Sequence, residues 1–327
     1  MLLHKIFTPA WTAHKDTIDA QYENLLQKFF DRINYKRYYL YFPKNYCIIY
    51  IIRSDIMKTC LSSRCEARYL KSAQEIKVAW RDRKIIPELA EKYENTTIIL
   101  HFIGANTEID WTEIEDYDNI CKQNFICATT CLEEMYCCSQ KNIKFYYGYP
   151  INTFYELQAL KNLGVCYVRL GTGLFFNMEK VKNIGVPVRI TPNIAYVDGL
   201  PRVDGIAGHW VRPEDILLYQ DYVTAIEFED CRVKKEQALY RIYTSQEGWY
   251  GDINDLITNL NYSAANKMLP NNITMERLNC GQKCQINGRC QVCYRAFNLA
   301  DPNKIKEYFD KFPETLKQLK ELKAEEK

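Results

Sequence analysis

Residues 143–170 read IKFYYGYPINTFYELQALKNLGVCYVRL, and the stretch changes period twice. Ile143–Tyr147 and Cys166–Leu170 are short runs of β-branched and aromatic residues, which is strand composition. Between them Leu157, Leu160 and Leu163 recur at helical spacing on one face. Asn152 stands where an N-cap belongs, and Gly164 where a left-handed residue ends a helix. A strand that returns to a second strand through a helix is a parallel crossover unit.

The same alternation runs through the middle of the chain. Further strand candidates are IIYIIR (48–53), TIILHFI (97–103), FICA (125–128), PVRI (187–190), IAGHW (206–210) and AIEF (225–228). Helical patterns lie between them, among them NMEKVKNIG (177–185), which ends in glycine. RPEDILLYQDY (212–222) carries Pro213 at its first turn, followed by acidic residues that suit the helix dipole. Eight strands with helices between them predict an α/β chain with a compact (β/α)8, TIM-like barrel. An open doubly wound sheet is the alternative. Its G-x-G-x-x-G turn is missing after the first strand, and Gly171 and Gly173 in RLGTGLFF supply only G-x-G.

Four segments follow from this reading. Residues 1–45 form an N-terminal helix (AQYENLLQKFFDRI) and a tyrosine-rich extended piece, and residues 46–273 form the barrel. The barrel ends on a helix over 252–273 that Pro270 closes. Residues 274–300 form a cysteine loop, and 301–327 a charged, solvated C-terminal helix.

Composition narrows the function classes. The 327 residues are 47% hydrophobic and 26% charged with a net charge of +2, so charge does not mark a nucleic-acid face. No run approaches the roughly 20 apolar residues of a membrane span, and MLLHKIFTPAW lacks the apolar core and cleavage site of a secretory signal. A reducing, cytoplasmic setting is therefore expected for the 14 cysteines. The tyrosine-, isoleucine-, lysine- and asparagine-rich usage fits a low-GC bacterium or its phage.

A barrel works at the carboxyl ends of its strands. Those ends hold Arg53 and Asp55, His101, Tyr149, Asn152, Arg169, Arg189 with Asn193, His209, and Glu227 with Glu229 and Asp230. Arg169, Arg189 and Asn193 are the candidates for binding an anionic group through planar guanidinium forks. His209, Glu227 and Glu229 are the candidates for acid–base work. Strand alternation places Glu227 and Glu229 on one side, where they either hold a divalent cation or pair with Arg189 and Arg241. His101 sits in an apolar run and reads as a core histidine. Cys231 reads as a packed thiol rather than a nucleophile.

The densest motif is NCGQKCQINGRCQVCY (279–294), with Cys280, Cys284, Cys290 and Cys293 spaced C-x3-C-x5-C-x2-C. Core packing does not explain four thiols in a glycine-containing loop. Thiolates select zinc or an iron–sulfur cluster, so one four-cysteine centre, Zn²⁺ or [4Fe–4S], is expected. A site closed by four protein ligands is structural unless it transfers electrons.

A (β/α) barrel with four cysteines and the unit GYPINTFYELQALKNLGVCYVRLG (148–171) resembles in outline the collagenase-like peptidase superfamily. Its members include iron–sulfur enzymes that hydroxylate RNA bases or ubiquinone precursors. The resemblance spans residues 97–293. It departs from that family in bunching the cysteines at 280–293 rather than spreading them along the chain. It implies a metal-containing hydrolase or hydroxylase acting on an anionic, peptide-like or RNA substrate. The alternative is a non-catalytic, zinc-stabilised barrel that serves as a docking or assembly module.

Overall fold

The computed structural model describes the strands Tyr35–Tyr41 and Cys47–Arg53 by their backbone. It further describes residues 57–105, 109–194, 210–229, 232–245 and 249–258, together with 266, 269, 273–278, 280 and 281. Two compact units divide the chain, residues 1–56 and 57–327.

In the first unit β1 (Tyr35–Tyr41) and β2 (Cys47–Arg53) form an antiparallel pair with Tyr38 opposite Tyr50. IIYIIR, expected as the first barrel strand, therefore belongs to a hairpin. An unbroken apolar run marks a strand without saying which sheet it joins. The helix expected before it lies outside the described residues.

The second unit is built from eight parallel strands. In chain order the elements are β3 (Lys58–Ser62), α1 (Ala67–Leu70), β4 (Glu75–Ala79), a 3₁₀ turn (Trp80–Ile85) leading into α2 (Ile86–Lys92), β5 (Thr97–His101), α3 (Trp111–Ile120) and β6 (Phe125–Thr129). They continue with α4 (Leu132–Gln140), β7 (Phe145–Tyr147), α5 (Phe154–Asn162), β8 (Val168–Arg169), α6 (Thr172–Phe175), α7 (Met178–Ile184), β9 (Val188–Ile190), a 3₁₀ turn (Pro213–Tyr219), β10 (Ala225–Glu227) and α8 (Val233–Ser245). The sheet order is β7-β6-β5-β4-β3-β10-β9-β8, every pair parallel.

The two ends of that order meet. Cys166 N–H donates to the Phe145 carbonyl (2.9 Å), Ile151 N–H to the Arg169 carbonyl (2.9 Å), and Gly171 N–H to the Ile151 carbonyl (2.7 Å). Ile151 also bridges Leu170 in parallel. The sheet closes into the (β/α)8 barrel that the alternation predicts.

Two of its strands, β3 and β4, are absent from the sequence expectation. Lys58, Thr59 and Ser62 interrupt KTCLS, and Glu75 and Lys77 interrupt EIKVA, so neither reads as an apolar strand. Six expected strands, at 97, 125, 143, 166, 187 and 225, are present in the barrel. Of IAGHW, residues 206–209 lie outside the described residues, and the barrel is complete without them.

Alternation gives each strand two fates. Outward residues such as Leu61, Ile76, Val78, Leu100, Val168, Val188 and Ile226 are buried against the helices in one large apolar shell. Each such side chain contributes about 1.5–3 kcal/mol by leaving water.

The helices begin and end where local chemistry dictates. At α5, Thr153 rather than Asn152 is the N-cap. Its hydroxyl accepts from Glu156 N–H (3.1 Å), and the Glu156 carboxylate accepts from Thr153 N–H (2.9 Å), a complete capping box. Gly164 (φ 77°) and Gly185 (φ 76°) follow α5 and α7 in the left-handed region, as their positions predict. The helix expected over 252–273 is broken. α9 (Ile253–Leu256) stops at Ile257, whose backbone is extended, and Thr258 bridges Ile194 beyond β9. A second short helix, α10 (Ile273–Leu278), follows.

Candidate active site

The inward positions of the barrel carry charge. Glu75 opens β4 at the amino end. It pairs with Arg189, accepts a hydrogen bond from Tyr167 Oη (3.0 Å), and lies 3.7 Å from Lys58 Nζ. The Arg189 guanidinium is fully buried between the rings of Tyr167 and Tyr146, 4.7 and 5.2 Å from their centroids. Its second partner is Glu227, at 3.6 Å. Glu227 Oε1 lies 2.7 Å from Arg169 Nε, and Arg169 Nη2 lies 2.5 Å from Glu229 Oε2. Arg169 Nη1 donates to the Gly148 carbonyl, and Nη2 reaches Thr191 Oγ1 at 3.4 Å.

Glu75, Arg189, Glu227, Arg169 and Glu229 thus form a ladder of alternating charge that climbs from the amino end to the carboxyl mouth. Asn193 fixes its top rung, donating to the Glu229 carbonyl (2.8 Å) and accepting from Glu229 N–H (3.2 Å). The Glu229 side chain is 17% exposed, whereas Glu227 is fully buried.

The ladder sets the protonation states around it. Burial works to raise the Glu227 carboxyl, but Arg169, Arg189 and Lys77 outweigh it and hold the group at about 2. Burial pushes His101 well below its ordinary range, and nearby Lys77 adds to the effect, so the imidazole is neutral. His101 Nε2 lies 3.1 Å from Tyr146 Oη. Burial works to lower Lys77, yet Glu227 and Glu229 raise it above the usual lysine value, so it stays an ammonium. Burial pushes the Cys60 and Cys166 thiols up to about 12, which leaves them unreactive.

Arg169, Asn193 and Glu229 lie together toward the mouth, and Glu227 lies buried beneath Arg169. Arg189 lies deeper, in the middle of the barrel. Glu227 and Glu229 pair with Arg169 and Arg189, and Arg241 is exposed on α8. His101, read as a core histidine, is buried, but it faces the barrel interior at the end of β5. Arg53 ends β2 in the other compact unit. Asp55, His209, Asp230 and Cys231 lie outside the described residues.

Glu75, Lys77 and Tyr146 were not legible as site residues. For Glu75 and Lys77 the one signal is E-x-K with apolar Ile76 and Val78 around Lys77 in EIKVA, an alternation that in a closed barrel points the charges inward.

The G-x-G of RLGTGLFF has a packing role. A Cβ on Gly171 would overlap the Asn152 side chain, and one on Gly173 the Asn152 backbone. These glycines let the loop after β8 lie against the loop after β7.

Of the four clustered cysteines, Cys280 is described, and Cys284, Cys290 and Cys293 lie outside. Cys280 is half-buried just past α10, and the next residue, Gly281, donates to the Phe176 carbonyl (2.9 Å). Phe176 lies between α6 and α7 in the connection leaving β8, so the cysteine loop starts on the carboxyl side of the sheet. Among the described residues no group of three or more histidine, cysteine or carboxylate side chains is arranged to hold a metal. Among them, too, no helix is long and apolar enough to cross a membrane.

The closed barrel of eight parallel strands defines the class of the second unit. No protein-family model matches the chain, and no curated protein matches it. Solved structures with a related backbone course include 3-keto-L-gulonate-6-phosphate decarboxylase from Vibrio cholerae (10% identity, 62% of this chain and 99% of that one, TM-score 0.36). A 4-hydroxy-2-oxoglutarate aldolase gives 9% identity over 59% of this chain and 94% of that one, with a TM-score of 0.36. The U32 peptidase Mk0906 gives 10% identity over 56% and 96%, with a TM-score of 0.34.

Proposed function

We propose that the chain is a metal-containing barrel enzyme of the collagenase-like peptidase type, acting on a small anionic or peptide-like substrate at its carboxyl mouth. The observation that carries this reading is the charge ladder and where it ends. Glu229, its one partly exposed rung, stands at the mouth of an interior that also holds neutral His101 and half-buried Lys77.

In this reading Glu229 takes or returns a proton on the substrate, and Arg169 holds its carboxylate in place. Glu227 neutralises Arg169 from below, and Asn193 fixes the Glu229 backbone. His101, uncharged and bonded to Tyr146, supplies a polar wall. His209 is a second acid–base candidate from the sequence. Cys280, Cys284, Cys290 and Cys293 would hold Zn²⁺ or a [4Fe–4S] cluster, for which four thiols in fourteen residues are a suitable donor set. A cluster would supply electron transfer, and zinc would fix the loop.

The test joins metal analysis and absorption spectroscopy on anaerobically purified protein with assays on short peptides and small organic anions. Glu229→Gln should lower any turnover found by about 100-fold or more, within the usual range for a lost acid–base group, while circular dichroism stays unchanged. Full activity in Glu229→Gln overturns the assignment. The internal balance of the ladder favours a second reading, a non-catalytic barrel whose zinc loop docks a partner. That reading gains if the protein is colourless, binds one zinc per chain and turns over no substrate in either class.

A further inference from the structure

We infer that Lys77 is the anchor for a compact oxyanion, a carboxylate or phosphate group of the substrate, inside the carboxyl half of the barrel. The inference rests on the proposed site and names the chemistry that enters it.

Lys77 is the third residue of β4, opposite Ser62 on β3 and Ile99 on β5. Its neighbours Ile76 and Val78 are fully buried in the helical shell, so alternation turns Lys77 inward. There it differs from the other cations of the interior. Arg169 is committed to Glu227, Glu229 and the Gly148 carbonyl, and Arg189 to Glu75 and Glu227.

Among the described residues, the hydrogen bond of the Lys77 ammonium is a long one, 3.4 Å to the Phe228 carbonyl, and no carboxylate lies within 4 Å of it. Lys77 is also half-buried, whereas Cys60, His101, Arg169 and Glu227 around it are buried. Two of the three ammonium donors therefore have no partner among the described residues. A small oxyanion completes that shell through charge-assisted bonds. Glu227 and Glu229 lie near enough to keep the amine protonated, which suits anion binding and disfavours attack on a carbonyl.

The measurement is binding of inorganic phosphate and of acetate, followed by ³¹P line broadening and by the rise in thermal midpoint. It compares the full chain with Lys77→Met, Lys77→Arg and Lys58→Met, the last removing the lysine at the opposite, amino end. Saturable binding is expected in the unmutated chain and in Lys58→Met. Lys77→Met should weaken it by about ten-fold or more, the size of one lost charge-assisted bond, and Lys77→Arg should retain part of it.

Phosphate binding alone identifies a phosphate-bearing substrate, and acetate binding a carboxylate. No saturable binding in the unmutated chain, or equal binding in Lys77→Met, overturns the anchor. If Lys77→Met does not fold, equal affinity of Lys77→Arg and the unmutated chain for both anions overturns it, because moving the charge must change its fit. The readout needs no turnover. Anion binding in a chain that turns over nothing keeps the anchor and sinks the enzyme reading, and turnover without anion binding does the reverse.

Discussion

The two faces of a single barrel strand differ more than any two strands do. In β4, Ile76 and Val78 are fully buried against the helices, while Glu75 and Lys77, one residue away, point into the barrel. The outward face is generic: branched aliphatics, close-packed, exchangeable at modest cost. The inward face is specific, a charge ladder in which each rung neutralises the next. Stability comes from both faces, but chemistry comes from one. Replacing residues face by face is the way to test that division.

The largest loss is expected at Arg189. Arg189→Ala removes the cation that Glu75 and Glu227 share and leaves two buried carboxylates short of a partner. That should cost about 3–5 kcal/mol in chemical denaturation. Leu100→Ala on the outward face of β5 deletes a fully buried aliphatic and should cost about 2–5 kcal/mol. The two differ in kind. Leu100→Ala should leave turnover and anion binding per folded molecule unchanged. If it lowers them as much as Arg189→Ala does, the two faces are not separable.

Acid should act through the inward face. His101 is held neutral in the folded barrel, well below 6.5, and protonates near 6.5 once unfolded. The unfolded chain then binds more protons, so His101 contributes stability above about pH 6.5 that is lost as pH falls. The slope reaches at most about 1.4 kcal/mol per pH unit. Glu227, held at about 2, acts in the same direction lower down, its contribution fading as pH drops from about 4.5 toward 2. Urea titrations should show His101→Gln flattened between pH 6.5 and 5 relative to the unmutated chain. Equal slopes there would place the titrating group elsewhere.

The outward face is also the part that the sequence makes legible. Six of the eight barrel strands announce themselves as apolar runs, and the crossover unit 143–170 gives the topology. β3 and β4 stay hidden because Lys58, Thr59 and Ser62 in the one, and the inward Glu75 and Lys77 in the other, break the apolar run that marks a buried parallel strand. IIYIIR misleads for the opposite reason, since it has strand composition and its partner, Tyr35–Tyr41, lies upstream. At the site, Arg169, Asn193, Glu227 and Glu229 are visible as strand-end charges. Their pairing is not, because Glu75 and Arg189 meet across 114 residues of chain. The short range of capping chemistry makes Gly164 and Gly185 readable. Asn152 misleads by one position because Thr153 also offers a side-chain oxygen, and only Thr153 has Glu156 three residues on.

That cap supplies the smallest expected effect and the finest test of the comparison. Thr153→Ala removes the hydroxyl that accepts from Glu156 N–H and should cost about 1 kcal/mol, visible as a few degrees or less in thermal midpoint. The substitution touches neither face of a strand, so turnover and anion binding should stay constant. Its local consequence is more telling than its size. Ile151, two residues upstream, carries the hydrogen bond to the Arg169 carbonyl that helps join β7 to β8. If α5 steadies that closure, amide exchange at Ile151 should accelerate in Thr153→Ala along with the first turn of the helix. Acceleration confined to the helix would show that the barrel closes independently of its helical shell.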